Sequence, residues 1–188
     1  MIFPSFFDII ILENEGSNLM TNKQKRFFNI AREVSLLSDF KKARIGAVVV
    51  DGNRIISTGC NSTKTSPIQD RYNKYRHFDD GTYCIPKVHA EIAALSPLLN
   101  NNSINWSKTE LYIYREHKDG EISCAKPCEA CSALIHDLGI KRIYYTDWDG
   151  SFVKEEVLQY LQVLLVINYY YTKKDETIAY VKHTKDKA

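Results

Sequence analysis

Two short runs of this chain combine residue types that can hold a metal ion and move a proton. One is His89-Ala90-Glu91; the other is Pro127-Cys128-Glu129-Ala130-Cys131. Each opens a segment with helical spacing, residues 88–99 and 128–138. Cys128 and Cys131 are three apart, so on a helix they face the same way. In the first turn the helix dipole favours their thiolates. One imidazole and two thiolates supply three ligands to a zinc ion, and a catalytic zinc keeps its fourth position for water. Bound there, water has a pKa of about 7 and provides hydroxide at neutral pH. Glu91 is not needed as a ligand. Two residues from His89, it can take the proton of that water and pass it on. Pro127 suits a helix entry, where its missing N–H costs nothing.

Singly, each residue has an ordinary reading. His89 would be a satisfied structural histidine and Glu91 a solvated helix residue. The C-x-x-C pair would be half of a structural zinc site or a redox pair. Together they are harder to explain that way. A structural site wants four protein ligands and has no use for a carboxylate beside its histidine. The combination points to a catalytic zinc, one ion per chain, held by His89, Cys128 and Cys131 and served by Glu91.

The elements that must position these residues follow from pattern. Residues 23–37 place Phe27, Ile30, Ala31, Val34 and Leu37 on one helical face, with Thr21 or Asn22 as cap. Residues 45–50 are a β-rich apolar run. Asp51-Gly52-Asn53 then turns the chain into residues 54–58, a predicted hairpin. Residues 61–87 are polar and lack a period, which predicts a long functional loop or a short helix. Strands are expected at 111–114 and 142–146, and residues 118–121 form a turn. Gly139 ends the second motif helix. Residues 152–165 read as helical, and 167–172 and 177–181 as strands. Alternating strands and helices make this an α/β chain, a three-layer α/β/α domain.

A chain of 188 residues with 44% apolar content can bury one proper core, expected over residues 20–181 with a charged tail at 182–188. The apolar start at residues 2–12 is too short to span a bilayer and is broken by Asp8. Met20-Thr21-Asn22-Lys23 resembles a bacterial translation start, so residues 1–19 are read as an extension outside the fold. Net charge is only +2, which does not favour a large phosphate footprint. Five cysteines, an odd number with three of them inside residues 124–131, argue against a secreted disulfide framework and for a reducing, cytoplasmic setting. No membrane partner is expected. Cys60, Cys84 and Cys124 are read as free thiols rather than as a second zinc site with His77. His117 is placed on a loop and His136 on a helix surface.

The paired motifs resemble the cytidine deaminase-like superfamily, and within it the deoxycytidylate deaminases of bacteria and phages. Ile45-Gly46-Ala47-Val48-Val49-Val50 is similar to that family's first strand, and Arg54-Ile55-Ile56-Ser57-Thr58-Gly59-Cys60-Asn61 to its second. His89-Ala90-Glu91-Ile92-Ala93-Ala94-Leu95 and Gly139-Ile140-Lys141-Arg142-Ile143-Tyr144-Tyr145 also match its style. The resemblance covers about residues 23–147. It implies a five-stranded mixed sheet with the two motif helices side by side under one Zn2+, and assembly as a homo-oligomer. It implies replacement of an amino group on a pyrimidine by zinc-bound hydroxide, Glu91 shuttling protons to the ring and the leaving ammonia. Asn61 would bind the sugar, and the backbone N–H of Ala47 or Ala90 would read the base.

Two segments depart from that pattern. Residues 114–126 are longer than the usual link and predict an extended hairpin on the pocket rim. Residues 71–78 interleave bases with aromatics. Lys64, Arg71 and Arg76, with Lys74, are phosphate candidates, although the same stretch could track single-stranded nucleic acid or be a solvated helix face. Three functions stay open: a deaminase of a free cytosine nucleotide such as dCMP, an editor of bases in DNA or RNA, and a non-catalytic zinc-stabilised module. The Tyr169-Tyr170-Tyr171 run is either an interface or an ordinary strand.

Overall fold

The computed structural model describes residues 20–76 and 85–157. The first helix, α1 (Asn22–Ser35), starts at a reciprocal cap. The Thr21 side chain accepts from the Gln24 N–H, and the Gln24 side chain accepts from the Thr21 N–H at 2.8 Å. β1 (Ala43–Asp51) and β2 (Arg54–Cys60) form the expected hairpin, with Gly52 in the left-handed region at φ 62°. α2 (Pro67–Asn73) follows, opened by Ser66 as cap and Pro67 in the first turn. Then come α3 (Ala90–Leu95), β3 (Thr109–His117), α4 (Glu129–Leu138), β4 (Arg142–Thr146) and β5 (Phe152–Glu156).

The five strands form one mixed sheet in the order β2-β1-β3-β4-β5. β1 is antiparallel to both β2 and β3, β3 is parallel to β4, and β5 returns antiparallel to β4. Alternation along β1 divides the core between two faces. Ala47 and Val49 meet α3 and α4 through Ile92, Ala94, Leu95, Leu134 and Ile135, joined by Leu111, Ile113 and Ile143. Val48 and Val50 turn the other way, onto Phe27, Phe28 and Ala31 of α1 with Tyr112, Tyr114 and Tyr144. This is the expected three-layer α/β/α arrangement. α1 is also clipped at both ends, by Lys23 to Glu110 at 2.8 Å and Arg32 to Glu116 at 3.6 Å. At Gly46 a side chain would run into the backbone of Ala31 and Ser35, so glycine lets α1 lie close on β1.

Several boundaries differ from expectation. Residues 152–156 are strand, not the start of a helix. The turn Asp147–Ser151, with Gly150 at φ 78° and Asp147 N–H bound to Ser151 O at 2.9 Å, folds the chain straight back on β4. Pairing with an existing strand then overrides the helix preference of Lys154-Glu155-Glu156. α3 stops at Leu95, and Ser96–Leu98 is a 3-10 turn, because Pro97 lacks the N–H to continue. Val88 and His89 are not helical: Val88 donates to Lys64 O at 2.9 Å, and its own carbonyl accepts from Ser62. β3 extends past 111–114, and its link to α4 doubles back as the expected hairpin, with Ser123 N–H on Arg115 O at 3.1 Å. His117 therefore ends a strand rather than lying in a loop. His136 is on the exposed side of α4.

Residues 1–19, His77, Phe78, Cys84, the remainder of the helix expected to 165, the strands expected at 167–172 and 177–181, the tyrosine run and the charged tail lie outside the described residues. Among the described residues, no helix is long and apolar enough to cross a membrane, and Cys60 and Cys124 are free thiols.

Candidate active site

Both motifs sit at the same structural position, the last extended residue before a helix. His89 caps α3 with φ −83° and ψ 155°; Cys128 caps α4 with φ −70° and ψ 166°. Cys131 is the third residue of α4 and Glu91 the second of α3. Each helix is steered into place by its surroundings. Gly59 of β2 lies under α3 so closely that a side chain would meet the backbone at Ala93 and Ala94. The approach to α4 is pinned to the end of β4: Ala125 donates to Thr146 O at 2.7 Å, and Thr146 Oγ1 to Ser123 O at 2.8 Å. At the far end, Gly139 at φ 79° closes α4, with Ile140 N–H on Ile135 O at 3.2 Å.

These constraints bring three donors together. His89 Nδ1 is 3.4 Å from Cys128 Sγ and 3.4 Å from Cys131 Sγ. All three donor atoms lie within 4.8 Å of one another. With zinc bonds of about 2.0–2.3 Å, neighbouring corners of a tetrahedron are separated by about 3.5 Å. The nitrogen stands at this spacing from both sulfurs, so the three residues can hold a metal. Among the described residues no other cluster of His, Cys, Asp and Glu meets this test.

The electrostatics distinguish the three donors. The hydrogen bond from Cys131, working against burial and helped by His89, brings the Cys128 thiol down to about 4. Cys131, fully buried, is pushed well up by desolvation and by its bond to Cys128. Burial disfavours the charged imidazole of His89. The bond to Cys128 and the negative charges of Glu91 and Cys128 outweigh burial and raise its pKa, while the positive charge of Arg76 pulls the other way. The Glu91 carboxyl, 5% exposed, is raised chiefly by desolvation, partly offset by the positive charge of His89.

The other expected residues are placed as follows. Asn61 is buried, and both ends of its amide are engaged: Oδ1 accepts from Ile45 N–H at 2.8 Å and Nδ2 donates to Ala43 O at 3.0 Å. Ala47 is fully buried in β1 with a strand on each side, so its N–H belongs to the sheet. Ala90 is the first residue of α3, where helix N–H groups have no partner inside the helix. Lys64 and Arg71 are exposed, Arg71 on α2. Arg76 is half-buried and near enough for its charge to act on His89. The Tyr72 hydroxyl donates to Asp137 of α4 at 2.9 Å.

One residue of the site has no sequence motif. Gln69, fully buried on α2, accepts the His89 N–H on Oε1 at 3.1 Å. Ser66-Pro67 announces α2, yet nothing local shows which side chain of that helix will meet His89.

Residues 21–147 match the family described as the cytidine and deoxycytidylate deaminase zinc-binding region. The deoxycytidylate deaminase of Mycobacterium phage D29 is 30% identical over 128 residues, which is 63% of this chain and 90% of the relative. Among solved structures, dCMP deaminase from the cyanophage S-TIM5 in complex with dCMP and dUMP aligns with a TM-score of 0.49 at 23% identity, over 69% of this chain and 85% of that one. Cytidine deaminase from Burkholderia pseudomallei aligns with a TM-score of 0.49 at 17% identity, over 73% of this chain and 93% of that one. The matched region holds His89, Glu91, Cys128 and Cys131 alike, and the chain belongs to the cytidine and deoxycytidylate deaminase family of zinc-dependent enzymes.

Proposed function

We propose that this protein is a hydrolytic deaminase of a free cytosine nucleotide, converting dCMP to dUMP or acting on a close relative. The observation that carries the chemistry is the buried Glu91 carboxyl set beside the converging His89, Cys128 and Cys131. The phage deoxycytidylate deaminase relative supports the substrate. Zinc held by His89 Nδ1 and the two sulfurs would supply a Lewis acid and lower the pKa of water there. Glu91 takes a proton from the attacking water and delivers it to the ring nitrogen of the base. A new C–O bond forms at the ring carbon, the C–N bond breaks, and Glu91 returns the second proton to the departing ammonia. Burial raises this carboxyl, which favours its holding a proton between the two transfers.

In this reading the Ala90 N–H, rather than that of Ala47, orients the base. Asn61 offers its remaining amide hydrogen to the sugar, and Lys64, Arg71 and Arg76 face the phosphate. The odd number of cysteines, three of them inside residues 124–131, supports a reducing, cytoplasmic compartment. Assembly as a homo-oligomer with one zinc per chain completes the proposal.

Ammonia release by the zinc-loaded protein from dCMP, cytidine, dCTP and a cytosine-containing oligonucleotide tests it. Release from dCMP is expected. Release from the oligonucleotide alone would make the protein an editor instead, and no release from any base would make the zinc structural. Glu91→Ala is expected to keep its zinc and lose roughly 100- to 10,000-fold in turnover. Wild-type activity in that variant would remove Glu91 from the mechanism.

A further inference from the structure

α1 and α3 begin with the same problem and solve it differently. The N–H of a cap residue needs an acceptor, and a capping box supplies one from the third helical residue. α1 does this with Gln24. In α3 the third residue is Ile92, apolar and fully buried in the core, so it has no acceptor to offer. The cap residue is the zinc-ligand candidate His89, and no side chain of α3 caps it. Its N–H goes instead to Gln69 Oε1 at 3.1 Å, across 20 residues of sequence. The Gln69 amide is fixed in turn, because its Nε2 donates to Asn73 Oδ1 at 2.9 Å. α2, which carries Gln69, is also tied to the other motif helix through Tyr72 and Asp137 at 2.9 Å.

We propose that Gln69 is a positioning residue for the metal centre: its side-chain oxygen stands in for the missing capping box and fixes the backbone torsions of His89, and so the aim of Nδ1 at Cys128 and Cys131. This rests on the reading of those three residues as zinc ligands. Val88 is held on both sides by Lys64 and Ser62, and the His89 carbonyl accepts from Ala93 N–H at 2.9 Å. The His89 N–H is the remaining handle on this residue; without its acceptor that peptide group loses a restraint, and a small turn there swings the imidazole off the sulfurs. A glutamine that merely filled space would not need its oxygen on that N–H.

The test uses the full chain as wild type, Gln69→Leu and Gln69→Glu, with zinc affinity measured by chelator competition and Co2+ absorption measured in the thiolate charge-transfer region. Gln69→Leu is expected to lose about 10- to 100-fold in zinc affinity, the range typical of residues that orient a metal ligand, and to change the Co2+ spectrum. Gln69→Glu, which keeps an acceptor, is expected to retain most of both. A Gln69→Leu protein of lower Tm but wild-type zinc affinity and Co2+ spectrum would overturn the proposal, as would a Gln69→Glu protein impaired as badly as Gln69→Leu. If Gln69→Leu does not fold, Asn73→Ala frees the amide while leaving its oxygen; a smaller loss of zinc affinity supports the proposal, and none overturns it. A wild type that binds zinc but releases no ammonia would end the deaminase reading and leave this inference to the affinities alone. A wild type that binds no zinc would end both.

Discussion

Asn61 joins two strands before it can touch any substrate. Its amide holds Ile45 N–H and Ala43 O of β1, and its own carbonyl accepts from Ser38 Oγ at 2.9 Å. Removing the side chain strands a buried donor and acceptor, each worth about 1–3 kcal/mol when left unmade. Asn61→Ala is expected to lower stability by on the order of 2–4 kcal/mol, read from the urea midpoint. An unchanged midpoint with a raised KM would show a side chain serving only the ligand. Tyr72 makes a second prediction. Burial, and then the bond to Asp137, push its phenol up to about 12, against an ordinary value of about 10. The folded pKa is the higher one, so this stability is whole below about pH 10 and is lost as pH rises toward 12. Tyr72→Phe is expected to flatten the fall of Tm across that window; an unaltered alkaline limb would refute it. At this scale the sequence speaks clearly where function is packed into a few neighbouring residues. His89 with Glu91, and Cys128 with Cys131, lie within one turn of each other, so their partnership is local. Gln69 is silent because its partner is chosen by tertiary packing.

Elements translate these residues into positions, and two glycines separate the two sides of the sheet. Gly59 allows α3 to rest on β2, and Gly46 allows α1 to rest on β1 from the opposite side. Either change to alanine overpacks a backbone contact, at a cost of about 1–3 kcal/mol. Gly59→Ala is expected to lower zinc affinity as well as Tm, because α3 carries His89 and Glu91. Gly46→Ala is expected to lower Tm alone. Chelator competition beside a thermal melt distinguishes them, and equal zinc affinity in the two variants would contradict the claim that the seating of α3 on β2 sets the position of His89. The same scale explains where pattern reading stops. The Asp51-Gly52 hairpin and the Gly139 stop are local backbone chemistry and were legible. β5 was not, since Phe152-Val153-Lys154-Glu155-Glu156 carries good helix formers, and only the open edge of β4 makes it a strand. α3 shortened for a reason in plain view, Pro97, although its helical periodicity runs on past that point.

Across the whole molecule, the metal site joins the N-terminal ends of two helices that also share the aliphatic core on one face of the sheet and are bridged by α2. An ion binding there binds the folded chain and not the unfolded one, so zinc is expected to raise Tm with concentration, by the equivalent of about 2.7 kcal/mol at a hundredfold excess over Kd. Chelation should reverse the gain and added zinc restore it; a melt indifferent to both would argue against coordination. The opposite face is of a different kind. Tyr112 stacks on Tyr144 with ring centres 4.5 Å apart and 7° between planes, and Phe27 and Phe28 close over Tyr112 at 5.1 and 5.5 Å. Coupled rings of this sort dominate near-ultraviolet circular dichroism, while cobalt bound by sulfur absorbs at longer wavelengths. One sheet thus carries two optical labels of separate colour, one for each side, and the loosening of α1 can be followed in the same cuvette as the loss of metal from α3 and α4.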